Sequence, residues 1–285
     1  VYEQPAVLTR SFWISQTEVT QAQWLDVMET DQNPSPFAAC GLDCPVSGIT
    51  LFGILEFANR LSKKNDLMPC YQFEGCTAGG TADGLECEKA VFVGPDCTGY
   101  RLPSEAELEL AIGAAADSVA GEWDFWVSCP DLLPDDCAWY MMNSEVDYPG
   151  CMMIDVTNYA VGLNPVEDMR CLGPHPVGLK NANRLGLHDG LGNVREVTGT
   201  LVLHWDDPEF RDDERHQLVD PGFHRTLWWP AGGFESLVVV AKGGAFDSRY
   251  IVSHATHDIV GRFMYAASGG SKLGGGFRLV RTAKD

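Results

Sequence analysis

Residues 11–28, SFWISQTEVTQAQWLDVM, open with alternating apolar positions and switch after Thr20 to helical spacing. The pattern predicts a strand followed by a helix, capped by Thr20 and carrying Trp24, Val27 and Met28 on one face. Between Thr50 and Ser62, the positions Phe52, Leu55, Phe57, Ala58 and Leu61 recur at i+3 and i+4, a second amphipathic helix. Pro45 and Val46 form a short extended entry to it. A third helix opens at YRLPSEAELELA, residues 100–111, where Ser104 is the N-cap and Glu107 stands three residues on in capping-box position. Its buried stripe is Leu108, Ala111 and Ile112.

Elsewhere the pattern is weaker. Met68 to Cys97 is rich in Gly and Cys, with one short strand at Ala90–Val93, and reads as a cysteine-rich insertion at about 68–98. Residues 117–183 read as long loop, anchored by Trp123, Trp126 and Trp139. Short strands are expected at Leu237–Ala241, Gly244–Phe246 and Gly276–Val280. Helices early and strands late predict an α+β fold. No repeat or linker divides residues 1–285, which are expected to form one domain.

Composition narrows the function. Forty acidic against twenty basic residues give a net charge of −20. Such a field repels nucleic acid and anionic membrane surfaces and attracts cations. The ten cysteines all lie at or before residue 171, in loop-like sequence. An even count without paired zinc knuckles reads as a disulfide framework, and therefore as an oxidising compartment: secreted, periplasmic or cell surface. Cys40–Cys44, Cys129–Cys137 and Cys151–Cys171 are plausible local pairs. Cys70, Cys76, Cys87 and Cys97 would make two more, with the connectivity open. No leader is visible at Val1 and no apolar run approaches the roughly 18 residues of a membrane span, so the chain reads as a mature soluble form without membrane insertion.

Four segments in order carry a family resemblance: FWISQTEVTQAQW, YRLPSEAELELA, NRLGLHDGLGNVREVTG at 183–199, and KGGAF…GGGFRLVR at 242–281. Together they resemble the formylglycine-generating enzyme, or sulfatase-modifying factor, domain. The resemblance implies a variant of the C-type lectin fold with little regular secondary structure. It also implies one calcium site at Asp189, Gly192, Val194 and Glu196, using two carboxylates and loop carbonyls, as a hard cation requires. A second would map to Asn143, Ser144, Asp168 and Arg170. Calcium is then the expected cofactor, in a structural role.

Catalysis in the family needs two thiolates, which select Cu(I). Here Ser248 and Ser253 fall at those cysteines, Ala245 replaces a family serine, and the W-E-W box reads Arg195-Glu196-Val197. Copper is therefore not expected, and no catalytic residue is assigned. The chain reads as a pseudoenzyme: an extracellular binding or assembly module for a protein or glycan partner, or for self-assembly. Trp228, Trp229, Phe234, Phe263 and Tyr265 are candidates for its surface or its core. The alternative is a divergent sulfatase-modifying oxidase, or a metal-dependent oxygenase using His254 and His257 near Asp258. A Ser248, His254, Asp258 hydrolytic set lacks a nucleophile elbow, and the acidic runs at 204–207 and 212–214 read as solvated loop.

Overall fold

The computed structural model describes residues 6–77, 85, 87–112, 134–156, 169–203, 218–219, 226–228, 237–248, 263–266 and 274–283. Helix α1 (Gln21–Met28) begins where the pattern places it. The Thr20 hydroxyl accepts from Gln23 N–H, and the Gln23 side chain accepts in return from Thr20 N–H, 3.2 and 3.0 Å. Two orphan donors of the first turn are thus satisfied. Helix α2 (Leu51–Lys64) has the simpler one-way cap, Gly53 N–H donating to the Thr50 hydroxyl.

The two helices meet a C-terminal segment in an aromatic cluster. The fully buried Trp24 stacks on Phe57 at 5.5 Å, and Phe277 meets both rings edge-on, at 6.5 and 5.4 Å. This junction ties residue 24 to residue 277, and each aromatic pair adds about 0.5–1.5 kcal/mol beyond the area it buries.

Helix α3 (Glu105–Ile112) carries the expected capping box, Glu107 N–H to Ser104 Oγ and Ser104 N–H to Glu107 Oε2. The same carboxylate receives the buried Arg101 guanidinium bidentately, both bonds at 2.7 Å. The R-L-P-S-E-A-E wording is therefore a helix cap and an ion pair built from one glutamate. A short helix α4 spans Pro134–Cys137.

The strands are β1 (Ala6–Val7), β2 (Phe12–Ile14), β3 (Tyr71–Glu74), β4 (Lys89–Phe92), β5 (Met152–Asp155), β6 (Met169–Leu172), β7 (Glu196–Leu203), β8 (Leu218–Val219), β9 (Thr226–Trp228), β10 (Leu237–Lys242), β11 (Phe263–Ala266) and β12 (Val280–Thr282). They form small sheets: antiparallel β11-β10-β7 and β3-β4-β9, antiparallel pairs β12-β2 and β5-β6, and the parallel pair β1-β8. Helix α3 packs on β7 and β10, and Lys242 at the end of β10 pairs with Glu105 and Glu109 of that helix. The arrangement is the expected α+β, of low regular content.

Three expectations need correction. The span 117–183 is not all loop in its described part, because β5 and β6 form a hairpin whose ends Cys151 and Cys171 join. Met152 and Met153 are both exposed, so β5 shows no apolar alternation to read. Gly244–Phe246 is a turn rather than a strand, since Gly243 and Gly244 both take positive φ, 93° and 72°. The last strand begins only at Val280; Gly276 makes an isolated bridge to Glu196. Within the cysteine-rich segment the strand expected at Ala90–Val93 forms at Lys89–Phe92 and pairs with β3, and Phe263 and Tyr265 lie in β11.

The four open cysteines pair as Cys70–Cys97 and Cys76–Cys87, and Cys40–Cys44 is also closed. Cys137 is disulfide-bonded, while Cys129 lies outside the described residues, and no described cysteine is free. Disulfides persist in oxidising compartments. No helix among the described residues is long and apolar enough to cross a membrane.

Candidate functional site

Residues 183–195 make an irregular loop before β7. Asn183 organises its start: the amide oxygen accepts from Leu185 and Leu187 N–H, and the amide nitrogen donates to the Ala111 and Ile112 carbonyls at the end of α3. His188 N–H donates to the Gln16 carbonyl, laying the loop beside the segment after β2.

The turn itself needs left-handed backbone. Asp189, Gly192 and Asn193 have φ of 54°, 79° and 56°. Asp and Asn tolerate this region better than most residues. Gly192 has a second reason to be glycine: a Cβ there would collide with the backbone of Trp139. Its N–H donates to the Gly243 carbonyl at 2.7 Å, and Asn193 N–H donates to the Trp139 carbonyl. The Asn193 side chain accepts from His175 N–H and donates to the His175 carbonyl.

Three carboxylates and one guanidinium are buried around this turn. Glu196 is held bidentately by Arg278, Nε to Oε2 at 2.5 Å and Nη2 to Oε1 at 2.6 Å, with both side chains wholly buried. Arg278 also donates to the carbonyls of Ser15, Gln16 and His188. Asp189 accepts from Gly178 N–H through Oδ2 at 2.6 Å, but its buried Oδ1 has no partner among the described residues. Glu18 has no exposed surface, and among the described residues its carboxylate accepts two long hydrogen bonds, 3.4 Å from Val194 N–H and from the Asn193 amide. Burial, with Asp189 and Glu196 as like-charged neighbours, pushes the Glu18 carboxyl well above its ordinary range. Burial also raises Asp189, against the opposing pull of the Gly178 N–H and Arg278.

The structure therefore brings Asp189, Gly192, Val194 and Glu196 together at one turn and adds two groups that sequence reading passed over, Glu18 and Arg278. Both sit inside segments that had been read only as family markers, E-V-T and G-F-R. Among the described residues no three His, Cys, Asp or Glu side chains converge as a metal-ligand set. The turn offers something different: an orphaned Asp189 oxygen, a weakly held Glu18, and the Gly192 and Val194 carbonyls, oxygen donors of the kind calcium takes. The donor set fits a hard cation.

The second expected set is arranged otherwise. Asn143 Oδ1 accepts from Tyr140 N–H, and its amide nitrogen donates to the Ala138 carbonyl and to Asp135. That side chain is committed to its turn. The Ser144 carbonyl accepts from Gly173 N–H, the buried Ser144 hydroxyl has no partner among the described residues, and Arg170 pairs across the hairpin with Ile154. Nearby, Trp139 is stacked on His175 at 3.7 Å and covered by the Lys180 ammonium. Burial, and the charge of Lys180, push His175 down to about 4.

At the family's first thiolate position the structure places a closed turn. Ser248, buried, accepts from Ala245 N–H through its hydroxyl and donates its own N–H to the Ala245 carbonyl, both at 2.9 Å. Met141 N–H then takes the Ser248 carbonyl. Beside it Arg195 and Asp247 form an ion pair at 3.0 Å. Asp168, Ser253, His254, His257 and Asp258 lie outside the described residues, as do Trp123, Trp126, Trp229, Phe234 and the acidic runs at 204–207 and 212–214.

The small sheets, the capped helices and the buried Glu196–Arg278 pair define a formylglycine-generating-enzyme variant of the C-type lectin fold. The chain belongs to the sulfatase-modifying factor enzyme 1-like domain family, whose profile matches residues 3–283. It is 33% identical over 211 residues to the chaperone protein LppX of Paenibacillus barcinonensis, covering 73% of this chain and 69% of that one. Among solved structures it resembles the Treponema denticola variable protein 1, with TM-score 0.58, 25% identity, and coverage of 98% of this chain and 86% of that one. It also resembles CarF, with TM-score 0.55, 20% identity, and coverage of 96% and 87%.

Proposed function

We propose that the chain is a non-catalytic binding module of an extracytoplasmic compartment, with loops fixed by disulfides and by structural calcium. The observation that carries this reading is Ser248. At the position where the family's oxidation needs a thiolate stands a hydroxyl spent on closing a turn with Ala245. A hydroxyl cannot replace a thiolate for Cu(I), and every described cysteine is already in a disulfide. Arg195 and Asp247, paired beside that turn, add charge where a copper thiolate site would be soft.

A protein partner is favoured over a glycan, since the curated relative carries the name chaperone. Loops on a rigid scaffold suit recognition. Calcium would be held by the Asp189 carboxylate with the Gly192 and Val194 carbonyls, and would fix the turn rather than perform chemistry.

Two assays test the proposal. Incubation with copper, reductant and a cysteine peptide of sulfatase type should leave the peptide's mass unchanged; conversion of its cysteine to formylglycine would overturn the non-catalytic reading. Elemental analysis of protein purified without chelator should find calcium and no stoichiometric copper.

A further inference from the structure

The two faces of the β5-β6 hairpin differ in kind. The register pairs Met153 with Cys171 and Asp155 with Met169, so these four side chains share one face, while Ile154, Arg170 and Leu172 share the other. The second face is the packed one. Leu172 is fully buried there, and with Ile154 it joins Phe37, Val156 and Phe246 in a hydrophobic cluster. The first face turns outward. Met153 is 57% exposed and Met169 53%, and Cys171 carries the disulfide to Cys151 on the same side.

Folding does not call for those methionines. A hairpin seated on the core through one face, and tied by a disulfide, holds with polar residues on its solvated face. A single exposed apolar side chain needs no explanation, but these two stand together. Met169 is paired with Asp155, two residues along β5 from Met153, so the methionines are diagonal neighbours at a spacing that long side chains bridge. Methionine is flexible and polarizable, and it is over-used on surfaces that must fit apolar side chains of varied shape. The fringe is acidic. Glu145, bridged to Leu172 on the far side of β6, and Asp147 are exposed, as is Asp155 on the methionine face. Arg170, the only basic residue of the two strands, stands on the opposite face.

We propose that the outward face of the β5-β6 hairpin, centred on Met153 and Met169, docks a cationic, apolar segment of another polypeptide. This rests on the protein-partner reading above and gives it a place. The methionines take the apolar side chains, and the acidic fringe takes lysines or arginines at the rim. A net charge of −20 steers such a segment toward the chain. A second copy of this chain is the poorer occupant, because it would set the same acidic fringe against the first. The face is presented ready-made. Val146 N–H donates to the Cys171 carbonyl and Gly173 N–H to the Ser144 carbonyl, so β6 is held along both edges and little order has to be gained on binding.

The test uses the full chain with its disulfides intact and a short fluorescent peptide in which Lys alternates with Leu and Phe, titrated by anisotropy at physiological salt. Two further probes replace Leu and Phe by Ser, or Lys by Glu. The first peptide should bind the wild type, and the other two should bind about ten-fold more weakly or worse. The double variant Met153→Ser, Met169→Ser, changed only at exposed positions, should weaken the first peptide about ten-fold. Glu145→Lys with Asp147→Lys should also weaken it and flatten its salt dependence. Both variants should keep the melting temperature and near-ultraviolet circular dichroism of the wild type. Binding that neither variant weakens would overturn this face as the docking surface while leaving a protein-binding module in place. A wild type that binds none of the peptides would overturn the cationic, apolar occupant; the non-catalytic reading stands on Ser248 and is decided by the copper assay alone. A dimer in sedimentation that the methionine variant dissociates would make the occupant a second copy and refute the proposal.

Discussion

Replacing Arg278 with Met should be among the most damaging single changes available to this fold. The guanidinium joins three stretches distant in sequence, the Ser15–Gln16 segment, His188 and Glu196, and neither it nor Glu196 has any exposed side-chain surface. Removing one partner of a buried ion pair costs about 3–5 kcal/mol, because the other charge stays behind. Three carbonyls also lose a charged donor, at roughly 1 kcal/mol each. The sum, about 6–8 kcal/mol, is comparable to the whole stability of a typical domain, about 5–15 kcal/mol. Arg278→Met should therefore sit at the edge of unfolding in buffer. A second change, Glu196→Met, removes the stranded carboxylate, and the double variant should regain about 3 kcal/mol or more over Arg278→Met alone. Guanidinium denaturation with the disulfides intact reads both numbers from the shift in midpoint. A double variant no more stable than Arg278→Met would refute the reasoning, since the damage would then lie in lost packing and not in an unpaired charge.

Other consequences can be checked in the same denaturation series. Gly192→Ala places a Cβ against the Trp139 backbone at φ 79° and should cost several times more than Gly94→Ala, which has φ 120° but open space; equal losses would remove the close-approach argument. Converting Cys70 and Cys97 to Ser opens a loop of sequence separation 27 and should cost about 3–4 kcal/mol, against about 2 kcal/mol for Cys40 and Cys44, separated by 4, measured as paired thermal melts. His175 is held down at about 4, from 6.5, so the folded chain binds fewer protons there than the unfolded chain. Its contribution makes stability rise with pH between about 4 and 6.5, opposite in sign to the raised Glu18 and Asp189 carboxyls. His175→Gln should remove that component, and an unchanged pH profile of the melting temperature would contradict it.

The features legible in sequence are those whose partners lie within a turn of each other. The Thr20 and Ser104 caps are three-residue devices, and both formed as written, as did the helical stripe through Trp24. Strand β5 was hidden because its exposed methionines erase the alternation that betrays a half-buried strand, leaving pairing and a disulfide to hold it. The site was half legible for a related reason. Asp189, Gly192, Val194 and Glu196 fall in one stretch, so local order can nominate them together. Which carboxylate stays available is decided by residues far away in the chain: Arg278, 82 positions beyond Glu196, takes both of its oxygens, and Glu18 arrives from 175 positions before Asn193. Local spacing can count acids near a turn but cannot balance them. The balance appears only when the buried cation is assigned: Arg278 is spent on both oxygens of Glu196, and Glu18, carried in by the E-V-T segment, keeps two long contacts to Asn193 and Val194.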